Sequence, residues 1–494
     1  MKHVLAIDQG TTGSTCLVMA EDGRVVSRAY REIPQHYPEP GWVEHDPMEI
    51  LHRTLDAARE ALERAGCVPD TIGITNQRET VVLWDRESGR PVARAIVWQD
   101  RRTAARCESL GNERQRIAAL TGLVVDPYFS ATKIEWLLAH HGLRQRAADG
   151  ALAVGTVDSW LIWQLTGGTV HATDPTNASR TMLYDIEALE WSPQLAGLFG
   201  VPRALLPDVR PSSGDFGAAR GDRLGLRSDI PITGVAGDQQ AALFGQGCWR
   251  AGEAKNTYGT GAFLLLNTGV VRARARGGLL ATVACDANGR PAYALEGSIF
   301  IAGAAVQWLR DGLHLIETAR DTESLARSVD STGGVYFVPA LVGLGAPHWE
   351  PEARGTIVGL TRGTTRAHLV RAALEAMAFA TADVLTLMRE ESGALGREPL
   401  RVDGGASEND WLMQFQADVL GLPVERPDMV ETTALGAAGL AGIAAGIWPD
   451  AAAFLSTRRF TRFAPGPGAA AARQGARHWE RAVRAALAWA RDER

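Results

Sequence analysis

Short apolar runs alternate with turns at the start of the chain. Residues 4–7 (VLAI) stop at Asp8, a Gly/Thr-rich turn runs to Ser14, and apolar positions resume at 16–19 before Glu21, Asp22 and Gly23 turn the chain again. The pattern predicts strand, turn, strand, hairpin, strand. It returns at 253–266, where EAKN leads into TYGTG and then into the apolar run FLLL, which suggests a duplicated architecture.

Between the two copies, strands alternate with helices. Asp46 as N-cap, Pro47 at the first helical position and Glu49 three residues after the cap open a helix. Leu51, Leu55, Ala58 and Leu62 continue it at helical spacing up to Gly66. Strands are predicted at 71–75, 81–84, 95–98, 154–157 and 232–236. A boundary at 245–252 divides the chain into units 1–247 and 248–494. The second unit predicts helices over 302–313, 367–387 and 408–420 and strands at 335–338 and 400–402. An amphipathic helix over 473–491, carrying Trp479, Val483, Ala486, Leu487 and Trp489, is expected to pack on the body.

With 494 residues, 46% hydrophobic and 22% charged, the chain has the composition of a globular protein of two to three domains. Disorder and small disulfide or metal scaffolds are excluded. Lys+Arg 51 against Asp+Glu 57 leaves a net charge of −6, too acidic to favour a nucleic-acid partner. Cys16, Cys67, Cys107, Cys248 and Cys285 lie far apart with no C-x-x-C pair, and buried, inert thiols are expected. The N-terminus reaches Asp8 too soon for a leader peptide, and the uncharged run 432–449 is too rich in Ala and Gly for a membrane span. A cytoplasmic protein without membrane insertion is expected.

Three lysines, Lys2, Lys133 and Lys255, precede neither Ser nor Thr, so a G-x-x-x-x-G-K-[ST] phosphate loop is absent. Asp215, Phe216 and Gly217 spell the protein-kinase magnesium tripeptide without its companion motifs, a coincidence of letters. Another route to phosphate is present. Asp8, Gly10, Thr11 and Thr12 place an acid at a strand end before a turn whose amides and hydroxyls can face anionic oxygen, although an ordinary hairpin reads the same way. Two such turns, the second at 257–261, could clamp a triphosphate with the acids placing Mg²⁺. Asp238, at a strand-to-helix junction, is either a residue of the cleft or a helix cap. Gly303 and Gln307, one helical turn apart, and the glycines of 403–407 offer a platform for a flat ring or a phosphate, or simply close packing. Arg78 beside Glu79 can donate to and accept from vicinal hydroxyls, or form a surface ion pair.

Several longer motifs sharpen this. They are GWVEHDP at 41–47, GITNQRET at 73–80, DPYFS at 126–130, DPTNASRT at 174–181, AGDQQAALF at 236–244, KNTYGTG at 255–261, GLGAP at 343–347 and VDGGA at 402–406. In them the chain resembles the FGGY carbohydrate kinases of the actin-like ATPase fold, specifically the members acting on glycerol. The resemblance implies an α/β protein of two actin-like (ribonuclease H-like) domains flanking a nucleotide cleft. It implies ATP-dependent phosphorylation of glycerol to sn-glycerol 3-phosphate, the first step of glycerol catabolism, in a homodimer or homotetramer.

Carried over residue by residue, it makes Arg78, Glu79, Tyr128 and Asp238 ligands of the glycerol hydroxyls, with Trp98 and Phe263 as apolar walls and Gln239 nearby. Asp238 becomes the general base, and Asp8 with Asp238 the Mg²⁺ carboxylates. Thr11, Thr12, Gly13, Thr15, Thr260, Gly303, Gln307, Gly405 and Asn409 become nucleotide contacts. The chain departs from the family at Thr15, where an arginine is usual, and the loop 216–229 lacks both the Gly-rich basic pattern and the phosphorylated histidine that regulate some members. The alternatives are a kinase of the same family for another small polyol or a ketose, and an actin-like ATPase that gates partner binding.

Overall fold

A computed structural model describes residues 1–393, 398–429 and 431–491. The first hairpin forms as its pattern predicts, His3–Gln9 pairing antiparallel with Gly13–Ala20 and that strand with Val25–Glu32. Thr71–Asn76 then lies parallel to the first strand and Ile230–Gly237 parallel to Thr71–Asn76. The second sheet repeats this order. Ala254–Tyr258, Ala262–Gly269 and Pro291–Ile299 form the antiparallel part, and Leu400–Asp403 and Val424–Pro427 the parallel part. The expected duplication is therefore visible strand by strand.

The period-two alternation of the first strand sorts its side chains between two layers. Leu5 and Ile7 pack with Ile50 and Leu55 of the helix Pro47–Ala65, whose Asp46 cap accepts from the Met48 amide. Val4 and Ala6 pack on the opposite side against Leu435 and Ala438, from the helix Thr432–Ala444 that follows the last parallel strand of the second sheet. That helix meets its counterpart Asp238–Gly245 at backbone distance. A Cβ on Gly436 would sit 1.8 Å from the Ala241 carbonyl oxygen, so only glycine permits the approach.

In the second sheet, Leu264, Leu266 and Leu295 join the core beneath the helix Arg366–Ser392. The alternate positions Lys255, Thr257, Phe263 and Glu296 therefore face the N-terminal half.

Several elements differ from expectation. The strand expected at 154–157 is Leu152–Gly155, and Val157 instead opens the helix Val157–Leu165, the chain turning at Thr156. The run at 95–98 pairs only over Ala95–Ile96. The helix expected at 408–420 begins at Asp410 under an Asn409 cap. The last helix starts earlier, at Ala469, and runs to Arg491. Its Trp479, Val483 and Ala486 are buried, but Trp489 lies off that face and is 62% exposed. Cys67 is half-buried, against the expectation of five buried thiols, because it follows the Gly66 cap into a surface loop. Phe216 is buried in the N-terminal core, a packing role unrelated to the kinase tripeptide. Among the described residues, no helix is long and apolar enough to cross a membrane.

Candidate active site

The site forms where the carboxyl ends of the parallel strands of the first sheet meet the inward face of the second. After Thr71–Asn76 the chain turns through Gln77, whose amide donates to the Gln9 carbonyl at 2.7 Å. Glu79 takes a left-handed conformation, φ 61°, unusual for a side chain of its size and held by Ser130 Oγ donating to its carbonyl at 3.0 Å. This turn drives Arg78 and Glu79 inward, where their side chains are 2% and 1% exposed, so they are not the surface ion pair that the sequence alone allowed.

Arg78 Nη1 donates to Glu296 Oε2 at 2.6 Å and to Gln240 Oε1 at 3.2 Å, and Nη2 donates to Glu296 Oε1 at 3.2 Å. Its Nε lies 3.2 Å from Asp238 Oδ1. Arg180 joins the cluster, donating from Nε to Glu79 Oε1 at 2.7 Å and from Nη2 to Glu296 Oε1 at 3.0 Å. Burial alone would raise the Glu296 carboxyl, but Arg180 and Arg78 hold it at about 2. Glu296 thus stays ionised.

Asp238 opens its helix as the first helical residue rather than as the cap, and its Oδ1 accepts from the Gln239 amide at 2.6 Å. Burial raises its pKa above the ordinary carboxylate value, and Arg78 opposes that shift. Gln239 Oε1 accepts from Lys255 Nζ at 2.5 Å, and the same ammonium donates to Thr257 Oγ1 at 2.7 Å. Burial lowers Lys255 to about 8.

Trp98 and Tyr128 stand edge to face, with ring centroids 5.5 Å apart, beside the Arg180 guanidinium, which lies 5.8 Å from the Tyr128 ring. Trp98 Nε1 donates to Thr11 Oγ1 at 2.9 Å, tying this wall to the first Gly/Thr turn. Phe263 lies directly across from Thr257 on the inward face of the second sheet and is half-buried.

Asp8 and Thr15 are paired across the first hairpin and share the face toward the C-terminal half. Burial, with Asp238 and then Glu431 nearby, raises Asp8 to about 7. A proton or a cation would relieve that repulsion, and an oxygen-seeking divalent ion needs only one or two carboxylates when phosphates and water complete its shell. Asp8 and Asp238 fit that requirement. Thr12 is exposed at the tip of the turn, while Gly13 is buried beneath the Tyr30 ring, where a Cβ would come within 2.4 Å of the tyrosine oxygen.

Thr260, Gly303, Gln307, Gly405 and Asn409 come together around a cavity of ≈ 720 Å³ in the C-terminal half. The Gly303 amide donates to the Gly259 carbonyl at 3.0 Å, and the amides of Ala302 and Ala304 donate to the Thr260 carbonyl, so the helix Gly303–Asp311 buttresses the second turn. Asn409 caps the helix Asp410–Leu420, accepting from the Leu412 amide at 2.9 Å and donating to Thr322 Oγ1 at 3.2 Å. Thr11, Thr12, Gly13 and Thr15 do not line this cavity.

Glu296, Arg180, Gln240 and Glu431 were not singled out from the sequence. Arg180 lies within the motif at 174–181, which could have pointed to it, whereas Glu296 is one acid in a strand of otherwise ordinary alternation.

The FGGY family of carbohydrate kinases matches by its N-terminal domain over residues 3–245 and by its C-terminal domain over 254–445. A glycerol kinase of Polaromonas naphthalenivorans is 55% identical, with 98% of this chain and 99% of that protein aligned. One of Thermus brockianus is 55% identical over 100% of both. The crystal structure of Plasmodium falciparum glycerol kinase with ADP superposes with a TM-score of 0.94 at 36% identity, covering 99% of this chain and 98% of that one. Matched along both halves and more than half identical to full-length relatives, the chain belongs to the FGGY family of carbohydrate kinases.

Proposed function

We propose that the protein transfers the γ-phosphoryl group of ATP to a terminal hydroxyl of glycerol, giving sn-glycerol 3-phosphate and ADP. The observation that carries this most directly is the full-length likeness to proteins named glycerol kinase, at 55% identity, over a chain whose buried polar cluster reaches Asp238 through Arg78 and the Tyr128 ring through Arg180.

Arg78, Glu79 and Tyr128 hold the hydroxyls, while Trp98 and Phe263 cover the carbon chain. Gln239, fixed by Lys255, borders the pocket. Asp238 accepts the proton of the attacking hydroxyl as its oxygen moves in line on the γ-phosphorus, and a carboxyl raised by burial is better matched to that task than an exposed one. The adenosine occupies the cavity bordered by Gly303, Gln307, Gly405 and Asn409. The phosphates run from there between the turn at Thr260 and the turn of Thr11, Thr12, Gly13 and Thr15. Asp8 and Asp238 would hold Mg²⁺, which supplies charge neutralisation at the β- and γ-phosphates. Units 1–247 and 248–494, closing over the cleft, would exclude water from the transfer. A cytoplasmic homodimer or homotetramer is proposed on the family resemblance alone.

ADP release with ATP and Mg²⁺, compared across glycerol, D-xylulose, D-ribulose and no acceptor at equal concentrations, tests the assignment. Turnover with glycerol alone is expected. Equal rates without acceptor would mean an ATPase, and a ketose preference would overturn the reading of the Arg78 pocket.

A further inference from the structure

The glycerol pocket assigned above lies almost entirely on the N-terminal half, yet its arginine is anchored by the opposite half. Glu296 sits on Pro291–Ile299 of the second sheet and accepts from both terminal amino groups of Arg78, and also from Arg180. It occupies one edge of the Arg78 guanidinium, so the remaining edge, at Nε, is presented to Asp238 at 3.2 Å. The alternatives open to a guanidinium freed from Glu296 are adjacent. Glu79 Oε1 is 3.8 Å from Nε and Asp238 Oδ1 is 3.2 Å from it, and a carboxylate beside a freed guanidinium edge can close into a two-point pair. Such a pair would tie up the oxygen that must face the substrate hydroxyl.

We infer that Glu296 is a positioning residue for phosphoryl transfer: it holds Arg78 by its outer edge, so that the arginine orients glycerol without capturing Asp238, and it makes this orientation depend on contact between the two halves. The inference rests on the proposed glycerol kinase activity. It differs from a purely structural role in what it touches. The hydrogen bonds of the Glu296 side chain go to Arg78 and Arg180, neither of which lines the cavity assigned to adenosine, so its loss should act on glycerol and on the chemical step while sparing nucleotide affinity.

The test uses the full-length protein and measures KM for glycerol, KM for ATP, kcat and the melting temperature in the parent, Glu296→Gln and Glu296→Asp. Gln keeps the shape and removes the charge. It is expected to raise the glycerol KM by about tenfold or more and to lower kcat, with the ATP KM changed by less than about twofold. Asp keeps the charge at shorter reach and is expected to raise the glycerol KM by less than Gln does, by about threefold to fivefold, with the ATP KM unchanged. An unchanged glycerol KM and kcat in Gln, or parallel rises in both KM values tracking a fall in melting temperature, would overturn the inference. Should Gln fail to fold, the Asp variant decides. A raised glycerol KM with an unchanged ATP KM supports the assignment, and parental values for both refute it. A parent inactive on glycerol would instead refute the proposed function, a result distinct from either variant outcome.

Discussion

Asp238 is the side chain given the proton-accepting role in the proposed reaction. It lies beside Arg78 and accepts from the Gln239 amide through Oδ1. Asp238→Asn keeps the volume and removes the base, so kcat should fall by ~10²–10⁴-fold while glycerol, measured by calorimetry, still binds. Near-parental turnover would remove Asp238 from the role. Thr15 offers a second test. It faces the same side of the hairpin as Asp8, where a guanidinium could reach a phosphate. Thr15→Arg is expected to tighten ATP binding by about tenfold, the scale of one charge-assisted hydrogen bond, and an unchanged nucleotide affinity would dismiss the missing arginine as a handicap. Asp238 was legible in the sequence because a strand-to-helix junction in an α/β sheet has a predictable place. Glu296 was not, because its partners Arg78 and Arg180 are more than a hundred residues away and no local pattern marks it.

The junction between Leu152–Gly155 and the residues before Ala172–Thr173 shows how an element carries its own pH dependence. His171 Nε2 faces the Val154 carbonyl at 3.0 Å, and Nδ1 accepts from Arg86 Nη2 at 3.0 Å, which fixes a neutral ring. Burial first, then Arg86, lowers its pKa from 6.5 to about 3. The folded state therefore binds this proton less readily than the unfolded chain. Its contribution to stability is complete above about pH 6.5 and is lost as the pH falls toward 3. His171→Gln can keep the contact with Arg86 without titrating, so its melting temperature should decline less steeply than the parent's between pH 6.5 and 4. Parallel declines would contradict the assignment. The same stretch shows where element boundaries escape local pattern. Residues 154–157 read as one apolar run, but the chain turns at Thr156 and Val157 belongs to the next helix. In the last helix, Trp489 was counted with Trp479 by hydrophobicity, although a separation of ten residues puts it on another face.

At the scale of the whole molecule, the two halves meet through the helices Asp238–Gly245 and Thr432–Ala444, with Gly436 against the Ala241 carbonyl. Gly436→Ala must push these helices apart, and Asp238 stands at the start of one of them. The variant should lose about 1–3 kcal/mol of stability, read by denaturant melts, and lose kcat beyond any loss of folded protein. Full stability and turnover would show that the contact is looser than the structure indicates. The repeated hairpins, the Asp46 helix cap and the two Gly/Thr turns were legible in the sequence, and the residues proposed for the site came from a family motif, because each of these is written within a few positions of the chain. It took the folded chain to bury Arg78 and Glu79, to complete their charge cluster with Glu296 and Arg180, and to pack the helix Thr432–Ala444 of the C-terminal half on the N-terminal sheet. Those outcomes depend on desolvation and on contacts between residues far apart in the chain, and a buried charge acquires its partners only when the whole fold brings them within a few ångströms.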